Sequence, residues 1–363
     1  MSVGGTEMQL THMIEGLKDD FDLALICTHS DGGLIGDVRR MGAYVRVLDG
    51  RGGWDWTVAN KMRRILRGFM PHIVHTFLSG FDWAPNRVAR QLGVPVIISS
   101  RRELATWQKM RHIFMQRLAN SYVDAVVANS QAVADYAIRR ERAAPDLFHV
   151  IPNGVKADLY LPPCRPRESR SRFRLPLKKR IIGMVANFSP VKDHRLFMDM
   201  AAVLLRRRDD VHFLLVGSGP LVGKFGQLIE WRGQGDHFNR ISTIGEVAEM
   251  YAMMDVFVLT SKVEGFSNAV IEAMAAGKPL IAPAVGGILE QVQHGENGIL
   301  IDSRAPERFA DAVEWCLDNP DEAAAMAKRG AEWVRANLSM EQMVQRYRDF
   351  YYAMLDRKNV REG

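Results

Sequence analysis

Cysteine is scarce in the 363 residues: three in all, Cys27, Cys164 and Cys316, odd in number and far apart. That spacing builds neither a disulfide framework nor a zinc site, and it suits a reducing cytoplasm. No apolar run reaches the length of a membrane span, and Met1-Ser2-Val3-Gly4-Gly5 lacks the basic and apolar regions of a signal peptide. The only Asp-x-Asp, Asp20-Phe21-Asp22, falls where a helix runs into a strand, so solvated acids are expected there. His72, His75, His112 and His194 form no ligand cluster in sequence, so no metal is expected. A G-x-G-x-x-G after a strand with an acid beyond it is also missing, which argues against a nicotinamide dehydrogenase. No repeat of the solenoid kind is present.

What is present is globular: 47% hydrophobic and 25% charged residues, apolar material for two cores. The net charge of +6 is uneven. Residues 1–172 hold 24 Lys+Arg against 17 Asp+Glu, a net +7, which leaves 24 against 25, a net −1, for the rest. A basic first half can attract anionic lipid headgroups, nucleic acid or a phosphorylated substrate.

Short β-branched runs alternate with amphipathic stretches. Strands are predicted at 22–28, 43–48, 72–77, 95–99, 124–129 and 148–152, then at 180–186, 211–217, 240–244, 255–260, 279–283 and 298–301. Helical patterns such as 193–208 and 268–276 lie between them, which argues for parallel sheets covered on both faces. Two consecutive sets predict an α/β protein of two doubly wound, Rossmann-like domains facing across a cleft. The Pro- and charge-rich stretch 161–170 reads as the linker. The domains are therefore placed at 1–165 and 172–338. A last helix over 339–363 carries the stripe Met340, Met343, Tyr347, Phe350, Tyr351 and Met354, and is expected to cross back onto the first domain. The turn Gly4-Gly5-Thr6-Glu7 would normally follow a strand, so the first strand is expected to be missing.

The strongest chemical signal is Glu264-Gly265-Phe266-Ser267-Asn268…Glu272, after a buried strand ending near Thr260. Ser267 is a suitable N-cap for a helix starting at Asn268. The first turn of that helix would offer free N–H groups and partial positive charge to a diphosphate. Glu264 and Glu272 would flank the anion and accept hydrogen bonds from hydroxyls on either side. A nucleotide sugar has that layout.

These residues resemble the E-x7-E signature of the retaining glycosyltransferases of family four, which have the GT-B fold. The resemblance runs along the chain, through Gly4-Gly5, Ile151-Pro152-Asn153-Gly154-Val155, Val216-Gly217-Ser218-Gly219-Pro220 and Gly286-Gly287-Ile288-Leu289-Glu290. It implies a nucleoside-diphosphate-sugar donor as co-substrate, no cofactor and no metal. Glu264 would contact the donor sugar and orient the anomeric carbon, and Lys192 would neutralise charge growing on the leaving diphosphate. Glu272 would hold the ribose, with Asn187, Gly217, Gly265, Phe266, Ser267 and Asn268 completing the donor site. Gly5 would admit the β-phosphate without side-chain clash.

The chain departs from the family at two places. Asn187 stands where an Arg is common, with Arg195 as a substitute cation. No His follows the strand at 95–99, where Ser99-Ser100-Arg101-Arg102 offers arginines instead. His75, Arg101 and Arg102 are candidate contacts to acceptor or phosphate. Two basic amphipathic stretches, Trp54–Met70 and Trp107–Leu118, leave open a peripheral contact with anionic lipid at the inner face of the plasma membrane. The expected partners are the nucleotide sugar and a carbohydrate or lipid-linked acceptor, with no nucleic acid. The expected setting is cytoplasmic synthesis of cell-envelope polysaccharide, lipopolysaccharide or glycolipid. The alternatives are a GT-B-fold nucleotide-sugar epimerase and a catalytically inactive nucleotide-sugar-binding module.

Overall fold

The computed structural model describes residues 4–27, 34–48, 56–77, 82–160, 166–242 and 247–359, without the side chains of 56–58. The chain forms two compact units, residues 1–154 with 340–363, and residues 155–339. The strand expected ahead of Gly4 concerns positions outside the described residues.

The first unit runs α1 (Gly5–Leu17), β1 (Ala24–Cys27), α2 (Leu34–Arg40), β2 (Tyr44–Val47), α3 (Trp56–Phe69), β3 (Ile73–Thr76), α4 (Trp83–Gln91), β4 (Val96–Arg101), α5 (Met110–Asn120), β5 (Ala125–Ala128), α6 (Gln131–Glu141) and β6 (Phe148–Val150). The strands are all parallel, β1 with β2 as a pair and β3-β4-β5-β6 as a four-stranded sheet. β4 and β5 are buried along their whole length; β5 is an unbroken apolar run, whereas β4 passes from Val96-Ile97-Ile98 to the buried polar residues Ser99, Ser100 and Arg101.

The second unit runs α7 (Pro166–Arg172), β7 (Arg180–Val185), α8 (His194–Arg207), β8 (Val211–Val216), α9 (Val222–Trp231), β9 (Phe238–Ile241), α10 (Val247–Ala252), β10 (Val256–Val258), α11 (Asn268–Ala275), β11 (Leu280–Pro283), α12 (Ile288–Gln291), β12 (Ile299–Ile301), α13 (Pro306–Asp318) and α14 (Pro320–Asn337). Its six parallel strands lie in the order β12-β11-β10-β7-β8-β9. That is the doubly wound order, in which the chain leaves β7 toward one edge and later returns on its other side at β10.

The last helix, α15 (Met340–Arg357), belongs to the first unit. Its stripe Met340, Met343, Tyr347, Tyr351 and Met354 is buried with Met13 and Leu17 of α1 and with Val96, Ile98, Ala125 and Val127 of the sheet. All the predicted strands are present within a few residues. One expectation is corrected: the supposed linker is partly helical, because Pro166–Arg172 forms α7 and Arg170 anchors it to Asp255 at 2.8 Å. Proline fits the first helical turn, where its missing N–H is not needed; 161–165 lie outside the described residues.

Candidate active site

In a doubly wound sheet, ligands bind beyond the carboxyl ends of the strands where the winding reverses. Here those strands are β7 and β10. The segment after β7 carries Asn187 and Lys192, and the segment after β10 carries Thr260, Ser261 and Glu264. Several bonds lock the two together. Thr260 Oγ1 lies 3.1 Å from both the Lys192 and Asp193 carbonyls, and the Lys262 N–H donates to the Val191 carbonyl at 2.8 Å. Arg304, just past β12, donates to the Ser261 and Thr260 carbonyls at 2.9 and 2.8 Å and to Asp193 Oδ2 at 2.5 Å.

Within this frame Lys192 Nζ donates to Glu264 Oε1 at 2.5 Å, and Ser261 Oγ donates to the same oxygen at 2.6 Å. The Glu264 side chain is 8% exposed and that of Lys192 24%. The carboxylate is thus desolvated but paired, while the ammonium retains an open side. An ammonium in that state can take a phosphate on its open side without itself being left unpaired. The neighbouring β8 turn comes very close: a Cβ on Gly217, whose φ is +147°, would stand 2.1 Å from the Ala186 carbonyl oxygen. Glycine at 217 is therefore demanded by the backbone that carries Asn187.

α11 begins at Asn268, as its sequence predicts, but Ser267 does not cap it through its side chain. Gln291 of α12 clamps that turn instead, its Oε1 accepting the Ser267 N–H at 3.1 Å and its Nε2 donating to the Ser267 carbonyl at 3.0 Å. The Ser267 amide is therefore occupied, whereas its hydroxyl is buried without a partner among the described residues. An unsatisfied buried hydroxyl costs about 1–3 kcal/mol, a cost that a ligand oxygen would relieve.

Glu272, a turn into α11, accepts a hydrogen bond from the Tyr251 hydroxyl at 2.8 Å. Burial pushes its carboxyl up to about 7, against the Tyr251 bond, which favours the charged form. Tyr160 packs edge-on against Tyr251 at 5.9 Å, and the nearby Glu272 adds to the effect of burial in raising its phenol. Gly265 is buried; Phe266 and Asn268 are partly buried. Asn187 is exposed, and so is Arg195, which reaches Asp199 at 3.9 Å.

The first-unit candidates fare differently. Arg101 is 3% exposed and wholly engaged, with Nε on Glu141 Oε1 at 2.8 Å, Nη1 on Asp82 Oδ2 at 3.1 Å and Nη2 on Asn120 at 2.9 Å. Asp82 also receives Gln116 and Ser99. Arg101 is thus a structural cation and is withdrawn as an acceptor or phosphate contact. His75 is held through both ring nitrogens, by the Tyr351 hydroxyl at 2.7 Å and Ser100 Oγ at 2.8 Å, and burial depresses its pKa to about 3. Arg102 reaches the Tyr347 hydroxyl at 3.2 Å and Asn153, while its Nε is buried without a partner among the described residues. Gly5 opens α1 and is exposed.

Sequence reasoning missed Ser261, Tyr251, Gln291 and Arg304. Gln291 carried a faint signal, being a polar residue on the buried side of a short helix beside the Gly286-Gly287 turn. Tyr251 and Arg304 hold the site from 21 residues or more away, whereas Ser261 stands three residues from Glu264, where nothing in its residue type singles it out.

Two parallel α/β units with the last helix returned to the first define a GT-B protein. Solved structures of this fold include HepE from Anabaena with UDP-glucose (TM-score 0.86, 20% identity, 97% of each chain) and WaaG, a glycosyltransferase involved in lipopolysaccharide biosynthesis (TM-score 0.77, 14% identity, 96% of each chain). Residues 3–159 match the model for Glycosyltransferase Family 4 and residues 166–333 that for glycosyl transferases group 1. The chain belongs to the group 1 glycosyltransferases of family 4. Similar curated proteins include the GDP-mannose-dependent alpha-(1-6)-phosphatidylinositol monomannoside mannosyltransferase of Mycobacterium tuberculosis, 31% identical over 55% of this chain and 54% of that protein. The chain thus spans about half the length of that relative. D-inositol 3-phosphate glycosyltransferase 1 of Catenulispora acidiphila is 26% identical over 82% of this chain and 80% of its own. Among the described residues no helix is long and apolar enough to cross a membrane.

Proposed function

We propose that the protein transfers a sugar from a nucleoside-diphosphate-sugar donor to an acceptor hydroxyl, with retention of the anomeric configuration. The observation that carries this reading is the Lys192–Glu264 pair at the switch point of the second-unit sheet, with its ammonium open on one side. In this reading the diphosphate lies against the start of α11 and takes Lys192 as its counter-ion. Charge on the leaving group grows as the glycosidic bond breaks, so a fixed cation there stabilises the transition state more than the ground state.

Glu264, released from Lys192, accepts from the donor sugar hydroxyls, with Ser261 holding the carboxylate in place. Ser267 Oγ gains the partner it lacks. Glu272 accepts from the ribose, and ionises as it does so. Gly217, the backbone of Gly265, Phe266 and Asn268, and the exposed Asn187 complete the donor contacts. No cofactor and no metal ion is assigned a part. The first unit supplies the acceptor site, for which Arg102 remains a candidate because no carboxylate partners it among the described residues; His75 contributes by fixing the α15 tyrosine.

The relatives named for mannosyl and inositol-phosphate acceptors support a polar or lipid-linked acceptor in glycolipid or envelope polysaccharide synthesis. Their names and the UDP-glucose in HepE leave the donor base to be read from a panel of UDP-, GDP- and ADP-sugars. The decisive experiment is Glu264→Gln, which keeps shape and the Ser261 bond but loses the charge. Transfer should fall by about 10²–10³-fold, with the melting temperature nearly unchanged. Undiminished turnover in that variant would overturn the mechanism, and NMR of the first-formed product reads the anomeric configuration directly.

A further inference from the structure

The first unit bears a row of large apolar side chains that its own core does not cover. Met110, Phe114 and Leu118 of α5 are 68%, 59% and 36% exposed, and Trp107 in the turn ahead of them is 48% exposed. Steps of four residues keep the three helical positions on one face at about 3.6 residues per turn. The opposite face is committed to the interior: Ile113, Gln116 and Ala119 are buried, and Gln116 holds Asp82. The stripe is therefore not a core face left partly open; α5 is apolar on both sides. A contiguous exposed patch of this kind marks an interaction surface.

Its surroundings indicate the partner. Arg111 is exposed on one border of the stripe and Lys109 just ahead of it. On the other border Arg117 donates to the Glu141 and Arg140 carbonyls, which brings the end of α6 and its exposed Arg139 and Arg140 alongside. The nearest acids are muted. Glu103 accepts the Trp107 indole N–H at 3.0 Å, and Glu141 is turned inward onto Arg101. We infer that the outer face of α5 is a docking surface for an anionic lipid bilayer, with Trp107, Met110, Phe114 and Leu118 entering the headgroup region and the arginines meeting the lipid phosphates. The other basic amphipathic helix, α3, does not share this role, because its Met62 and Leu66 are buried against the sheet. The inference rests on the proposed function only in supplying a reason for the enzyme to meet lipid.

The test is flotation of the whole protein, without donor, on phosphatidylcholine vesicles with or without phosphatidylglycerol. Binding should require the anionic lipid and weaken as salt is raised. Met110→Ser with Phe114→Ser should weaken it by about tenfold or more, as should Arg111→Glu with Arg139→Glu. The control Arg64→Glu with Arg67→Glu on α3 should remain within about threefold of wild type. All these positions are exposed, so the melting temperature should hold. Failure of the wild type to float, or equal binding by all variants, overturns the inference. So does a wild-type dimer that Met110→Ser with Phe114→Ser converts to monomer, which would assign the stripe to a second copy. Loss of flotation with transfer to a soluble acceptor intact leaves the proposed chemistry standing, and the converse holds.

Discussion

The two units treat buried charge in opposite ways. In the first, Arg101 is closed off by Asp82, Glu141 and Asn120, each ion-pair side chain 5% exposed or less. In the second, Lys192 and Glu264 form a still shorter contact, but one partner keeps an open side at the end of the strands where the winding reverses. Both are cation–carboxylate pairs drawn from motif-like stretches; in sequence Lys192 matches the family's phosphate-binding lysine, and Arg101 is a candidate contact to acceptor or phosphate. The difference lies in what remains unsatisfied. A guanidinium whose donors are consumed internally has nothing left to offer a ligand, so it serves the fold. An ammonium with one carboxylate and free space has bonding capacity to spare, so it can serve a reaction.

The comparison can be broken most forcefully at Arg101. Arg101→Met strands two buried carboxylates and should cost about 3–5 kcal/mol of unfolding free energy, measured by urea titration, while the folded fraction binds donor as before. A small stability loss with failed donor binding would erase the distinction. Lys192→Ala should behave in reverse: kcat down by about 10²–10³-fold, with the urea midpoint moving less than for Arg101→Met, since one carboxylate is stranded instead of two, at a site open on one side and with the Ser261 bond kept.

A subtler test uses Glu272. With its carboxyl near 7 in the empty site and the ribose hydroxyls preferring the charged form, donor binding should release a proton. Affinity should therefore rise by about tenfold between pH 6 and pH 8, and calorimetric heats near neutrality should depend on the buffer. A flat profile, or affinity that falls as pH rises, removes Glu272 from the ribose site.

Much of this was legible in the chain. Parallel strands buried on both faces read as continuous apolar runs, and all of those predicted are found. The α15 stripe announced that it must pack, and it does, on α1 and the first-unit sheet. Lys192 and Glu264 were singled out separately from their motifs and stand in contact. Reading failed where partners are remote in sequence. Arg101 looked available because Glu141 is forty residues away, and Ser267 looked like a side-chain cap because Gln291 was invisible to local reasoning. The stretch 161–170, which ends inside α7, looked like a linker because proline and charge are shared by loops and first helical turns.

The sequence by itself determined the periodicities, and with them the α/β class, the strand positions and the glycine-lined turns, because those depend on residues a few positions apart. Tertiary structure alone decided which polar groups are consumed and which are left over. It made Arg101 a scaffold residue and Lys192 half of an open pair, and it buried the apolar side of α3 while leaving the second apolar side of α5 to solvent. The physical reason is that hydrogen-bonding capacity and apolar area are satisfied by whatever the fold brings near, and nearness across a hundred residues is not written in any short stretch of chain.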